Sequence, residues 1–235
     1  MKLRDVLFFS FLIFLFLPFF IFSDVFYFYD AFNKNHPLIT SFIKFAVLAT
    51  AGESIGLRIK TGNYNHKGFG VIPRAIVWGF LGITIQMALA VFSAGVPVFL
   101  TKTLGLPWAL NFIDKQTILA MSTGEQLIVA FSISVFMNLI FAPVMMTFHK
   151  ITDTHIISNG GTVSGLFKPI KFREIFKNLK WEVQWNFVFK KTIPFFWIPM
   201  HTITFMLPPE YRVLFAALLG IALGVILAVA NQSKK

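Results

Sequence analysis

The chain has 235 residues, 56% of them hydrophobic and 13% charged, with a mean hydropathy of +0.73. Soluble domains run at roughly 45–50% apolar and about 25% charged, so a water-soluble domain is excluded. Twenty-one Lys and Arg against ten Asp and Glu give a net charge of +11; in so apolar a chain this asks which side of a bilayer the cations occupy, not which nucleic acid they bind.

A helix needs about 20 mainly apolar residues to cross the hydrocarbon, and continuous apolar runs without alternation exclude barrel strands. Six stretches qualify: 6–22, 38–57, 75–100, 124–148, 192–207 and 213–230. The first follows Lys2 and Arg4 and reads as a retained anchor extending to residue 29. A cleaved signal peptide is the alternative, although no small-x-small site precedes Asp24 and aromatic residues continue through Tyr29. The fifth is short and holds Pro194 and Pro199, which predicts a kinked, tilted or partly inserted segment. Between the fourth and fifth, Phe172, Ile175, Phe176, Leu179 and Val183 recur at helical spacing among Lys171, Arg173, Lys177 and Lys180. That pattern predicts a basic amphipathic helix in the headgroup layer, touching anionic lipid; a solvated connector packing on its own protein is the bland alternative. Ser158 to Thr162 is turn chemistry with no following Gly-Lys-Ser/Thr, so it is no phosphate loop.

The predicted fold is all-α: a polytopic transmembrane helical bundle of about six apolar segments with a basic amphipathic interfacial helix. It forms one integral membrane domain over residues 1–235. Its parts are the anchor 1–29, a first helical group 36–148, a cytoplasmic basic connector 149–191 and a C-terminal part 192–235. Six spans place 16 of the 21 Lys and Arg on one face; Lys34, Lys44, Lys102, Lys115 and Arg212 are the others. The positive-inside rule then puts both termini on the cytoplasmic side.

Ionisable and polar groups inside spans are costly, which makes them functional candidates. Lys44 and Glu53 fall in the second span, Gln86 in the third, Glu125, Gln126 and Asn138 in the fourth, and His201 with Thr204 in the fifth; Arg74 and Arg212 flank the third and sixth. Depth permits a Lys44–Glu125 pair, while Glu53 is placed to meet Arg58 or Arg74. Snorkelling to the nearest interface is the competing reading for the charged groups. Gln86, Asn138 and His201 could line a water-filled path or hydrogen-bond one another as packing glue. Gly52 and Gly56, and Ala216, Gly220, Gly224 and Ala228, are small residues four apart, the pattern of close helix contact with a neighbour or a second copy.

Catalytic and metal patterns are missing from the sequence. Cys is absent, there is no His-Glu-x-x-His and no Gly-x-Ser-x-Gly, and residues 153–155, Asp-Thr-His, read as a solvated loop rather than a zinc site. No enzyme activity, cofactor or metal is expected.

The stretch Trp197-Ile198-Pro199-Met200-His201-Thr202-Ile203-Thr204-Phe205-Met206-Leu207-Pro208-Pro209-Glu210-Tyr211-Arg212 resembles the signature of the Mpv-seventeen and peroxisomal membrane protein twenty-two family. Trp197, Phe205 and Pro209 keep its register; His201 stands at its Gln and Thr204 at its Asn. Upstream, Pro37 with Thr40 and Gly52-Glu53 resemble its Pro-x-x-Thr and Gly-Asp, and Glu125-Gln126 its Asp-Gln. Arg74, Gly79, Gly82 and Gln86 follow its Arg, Gly and Gly-Pro-x-x-His run. Ile83, Phe131 and Ile198 occupy positions where the family has proline, and the first apolar segment is extra. The resemblance implies a small helical membrane protein associated with gated, non-selective passage of small solutes. It marks Glu53, Arg74, Gln86, Glu125, Gln126, His201, Thr204 and Arg212, and His at the Gln position would add pH sensitivity.

The expected function is a small-solute channel or transporter-like pore. Its expected partners are the bilayer, anionic headgroups and small solutes, with self-association possible and nucleic acid not expected. A non-transporting scaffold or assembly protein is the alternative. The expected location is a bacterial cytoplasmic membrane, with a mitochondrial or peroxisomal membrane as second choice, since the N-terminus lacks transit-peptide character.

Overall fold

The computed structural model describes residues 3–114 and 116–232, with side chains to Ile226. Lys2, Lys115, Lys234, Lys235 and the Ala228 side chain lie outside the described residues. The elements in order are α1 (Leu3–Ile21), α2 (Ser23–Asn35), α3 (Pro37–Thr61), α4 (Val71–Lys102), α5 (Thr123–Ser158), α6 (Val163–Leu166) and α7 (Phe172–Asn178). After these come α8 (Trp181–Val183), a π-helical stretch Gln184–Trp197, α9 (Ile198–Met206) and α10 (Pro209–Gln232). Among the described residues there is no strand, and the fold is the expected helical bundle.

The chain divides into two compact units, Met1–Thr40 and Ser41–Lys235. In the first, α1 buries none of its side chains and is broken from α2 at Phe22. Thr40 closes the unit by donating its hydroxyl to Asn33 Oδ1 at 2.9 Å.

Five helices are long and apolar enough to cross a membrane: α1, α3, α4, α5 and α10. The sixth apolar stretch, 192–207, is helical but is shared between the π-helical stretch and the nine-residue α9. Pro194 and Pro199 each lack the N–H that an α-helical ladder needs, and a π-helix marks a departure from that ladder. The outward sides of α4 and α5 carry Phe80, Val91, Leu139 and Val144, all exposed. Such an apolar surface is untenable in water and fits lipid, so the protein is membrane-embedded.

Inside the second unit, glycines set the helix spacing. A Cβ on Gly52 of α3 would stand 2.9 Å from Ile221 Cα of α10, and one on Gly82 of α4 would stand 2.6 Å from Phe45 Cβ of α3. The small-residue motifs of α3 and α10 are therefore partners within one chain. Gly220 is the exception: a Cβ there meets nothing within 4 Å.

Two departures from the predicted boundaries bear on the site. α5 does not stop near residue 148 but runs to Ser158, with Thr152 and Thr154 donating their hydroxyls back to carbonyls of the preceding turn. The turn after it packs on the turn before α4. Gly70 and Gly161, with φ of 75° and 67°, approach so closely that a Cβ on Gly70 would lie 2.9 Å from Gly161 Cα. The connector helix is also shorter than its apolar spacing predicts, because α7 ends at Asn178. Leu179 turns extended and is buried, while Phe172 and Phe176 remain exposed.

Candidate functional site

Three long helices bring a charged cluster together. Gly70 caps α4 in a left-handed conformation, which starts the helix so that Arg74, in its first turn, points inward and is 6% exposed. Its guanidinium joins Glu53 of α3 and Asp153 of α5, its Nε donates to the Phe69 carbonyl at 2.8 Å, and its plane lies 4.4 Å from the Phe69 ring centroid. Glu53 Oε1 accepts from Trp78 Nε1 at 2.9 Å and from His149 Nε2 at 3.1 Å, and the Trp78 and His149 rings are 4.4 Å apart. Lys150 reaches the second oxygen of Asp153 at 3.2 Å. Two carboxylates thus face two cations, and the cluster is close to neutral without His149.

This cluster forms part of the wall of a cavity of about 380 Å³. Apart from Lys60, the rest of the lining is largely apolar, including Ile85, Met137, Phe141, Met145 and Met146, and Asn138, Trp197 and His201 stand in the same wall. Asn138 Oδ1 accepts from His201 Nδ1 at 3.1 Å, its amide donates to the Ser134 carbonyl at 2.8 Å, and Ser134 donates to the Ile198 carbonyl at 2.7 Å. The Trp197 ring stacks on His201 with centroids 5.1 Å apart. These bonds tie α5 to α9.

A second cavity, of about 660 Å³, is lined by Gln86, Asp114, Gln126, Glu210 and Arg212. Along α4, α5 and α10 its residues follow those of the first cavity without overlap: the two linings adjoin at Ile85 and Gln86 on α4, stand three residues apart at Val213 and Ala216 on α10, and are furthest apart on α5. Between the two, Val129, Ala130 and Ile133 of α5 and Thr204 and Phe205 of α9 are fully buried. On α5 this buried layer is bounded by Gln126 and Met137, roughly 16 Å apart at 1.5 Å per residue.

The other expected site residues serve local structure. Glu125 forms a capping box with Ser122, each side chain meeting the other's backbone N–H. Gln126 donates to the Ile118 and Met121 carbonyls at 3.1 and 3.2 Å, and Arg212 caps the end of α9 through the Leu207 and Phe205 carbonyls at 3.0 Å each. Thr204 bonds back to the Met200 carbonyl. Gln86 accepts from Ser41 on α3 at 3.4 Å, apart from the Asn138–His201 pair. Lys44 is buried on α3. Lys171, Arg173, Lys177 and Lys180 are exposed around α7.

Sequence reasoning missed Trp78, His149 and Asp153. The reading of residues 153–155 as a solvated loop is corrected: they are helical, the Asp153 side chain is 13% exposed, and His155 is buried with its Nε2 3.2 Å from the Leu166 carbonyl. A signal was present, since Asn138, Ala142, Met145, His149 and Asp153 recur three or four apart and share one face of a helix that continues past the apolar run. Among the described residues, no group of three His, Asp or Glu could hold a metal ion. No family model, curated protein or solved structure matches the chain.

Proposed function

We propose that the protein is a membrane pore or transporter-like protein for small solutes. The observation that carries this reading is the pair of cavities that follow one another along the same helices, separated on α5 by a buried layer of about three turns. A bundle that only anchors a partner has no need of two aligned cavities, or of charged groups buried against one of them. The layer across the path makes this the closed state of a gated or alternating-access device, with Glu53, Arg74, His149 and Asp153 lining one vestibule and Gln86, Gln126 and Arg212 the other. The resemblance to the Mpv-seventeen and peroxisomal membrane protein twenty-two family supports the same reading, as does the shared use of Glu53, Arg74 and His201.

In this proposal the basic connector lies on the cytoplasmic side of a bacterial cytoplasmic membrane, with Lys171, Arg173, Lys177 and Lys180 at anionic headgroups. The scaffold alternative has one observation in its favour, the exposed basic and aromatic surface around α7. It has lost another, because the small-residue faces of α3 and α10 are used within the chain. Stopped-flow osmotic swelling of liposomes containing the purified protein tests the proposal. Solute-dependent swelling above that of protein-free vesicles supports it, and none across a panel of small solutes counts against it.

A further inference from the structure

The first cavity has two chemically different halves. Toward the C-terminal ends of α3 and α5 the lining includes Glu53, Lys60, Arg74, His149 and Asp153; toward the middle of α5 it is Met137, Phe141, Met145 and Met146. Glu53, Asp153 and Arg74 are matched with one another and with Lys150, and the remaining cation of the lining, Lys60, is exposed at the end of α3 where water screens it, so a net charge on an occupant gains little there. In the other half the Asn138 amide oxygen and His201 Nδ1 already satisfy each other, which leaves the buried Trp197 Nε1–H as an unpaired donor in that wall. An ion stripped of water would find no compensation among Met and Phe side chains, and most hydroxyls of a sugar would be left unpaired, since one indole N–H can meet only one of them. A chain of methylenes would be at home there, and the flexible thioethers of three Met adapt to more than one shape.

Resting on the reading of this cavity as one vestibule of a solute path, we infer that its occupant is an uncharged amphipathic small molecule, an aliphatic or aromatic body with one hydroxyl, amide or carbonyl end. The body lies between Phe141 and the methionines, and the polar end faces the Glu53–His149 side. A volume of about 380 Å³ is at the small end of ordinary ligand sites.

The test is equilibrium binding to the full chain in phosphatidylcholine nanodiscs, read as a change in indole emission from Trp78 and Trp197 in the wall. The probes are linear 1,2-alkanediols from propanediol to octanediol, with sorbitol and octanoate as the polyhydroxy and anionic arms. Discs carrying Ala142→Phe, which fills the cavity from α5, subtract partition into lipid. Leu223→Phe, from the α10 wall, does the same should the first variant unfold. The expected result is a rise in affinity of about fourfold for each added methylene until the cavity is full, lost in the filled variants, with sorbitol and octanoate weaker than octanediol. Affinity independent of chain length, tighter binding of sorbitol or octanoate, or diol binding untouched by both variants overturns the inference. So does binding that appears only in short-chain lipid, since a phospholipid tail would then be the occupant. Length-dependent binding without flux would keep this inference and remove the transport reading; flux without length-dependent binding would do the reverse.

Discussion

Asn138 on α5 accepts a hydrogen bond from His201 on α9 across 3.1 Å, and the Asn138 amide is held by Ser134 on its own helix. Because Asn138 Oδ1 can only accept, His201 carries its proton on Nδ1. The pair fastens the two helices that form the dry layer between the cavities. His201→Leu removes the donor and leaves Asn138 Oδ1 unpaired inside the bundle, so a loss of about 0.6–2 kcal/mol is expected. His201→Gln, which can donate to the same oxygen, should recover most of it. Reversible unfolding of the three proteins in mixed micelles measures both values; equal stability of the Leu and Gln variants would contradict the fastening role.

Arg74 joins carboxylates from two other helices while almost wholly buried. Removing one member of such a cluster leaves buried charge without its partner, so Arg74→Met is expected to cost roughly 3–5 kcal/mol. Glu53→Gln with Asp153→Asn in the Arg74→Met background removes the stranded charges and should restore about half of the loss or more. Thermal unfolding in nanodiscs decides the matter, and an Arg74→Met protein as stable as wild type would show that the cluster contributes nothing.

The glycines of α3 separate close contact from helix propensity. Gly52→Ala puts a methyl 2.9 Å from the Ile221 backbone of α10, whereas Gly56→Ala places one 3.6 Å from the Gly224 carbonyl. The first is expected to cost about 1–3 kcal/mol. The second should be neutral or stabilising by up to about 1 kcal/mol, since Ala is the better helix former. Unfolding midpoints of the two variants that moved together would refute the packing described for α3 and α10.

Around α7 the exposed cations suit an anionic surface. Changing Lys171, Arg173, Lys177 and Lys180 together to Gln is expected to weaken the preference for phosphatidylglycerol over phosphatidylcholine, by up to ~1 kcal/mol per cation near the surface. Retention of each lipid by the purified protein in native mass spectrometry reads this directly, and an unchanged ratio would remove lipid from the role of that segment.

Much of the bundle was legible because each apolar run is long and uninterrupted, and the small residues of α3 and α10 announced a close contact before its partner was known. The charged cluster was only half legible. Glu53 stood out because its surroundings are apolar, yet its partner His149, and Asp153, which shares Arg74 with it, lie beyond the end of the apolar run, where α5 continues on hydroxyl back-bonds and a glycine turn. Hydropathy does not register a helix that extends past the hydrocarbon. The connector failed in the opposite sense: Phe172 to Val183 keep helical spacing, but Leu179 is drawn into the core and breaks the helix. The division of the sixth apolar stretch follows from Pro194 and Pro199, whose presence predicted irregularity but not its π-helical form.

In the proposed function solutes pass between the two cavities through the layer around Phe205, and efflux of a trapped small solute from liposomes measures that passage. Phe205→Leu and Val129→Ala each thin the layer with modest loss of packing, and the wild-type protein is measured beside them at matched incorporation. The prediction is efflux above protein-free vesicles for wild type, and a rate at least about tenfold higher in one of the thinned variants, equivalent to ~1.4 kcal/mol off the barrier. Efflux indistinguishable from protein-free vesicles in all three folded proteins would contradict it.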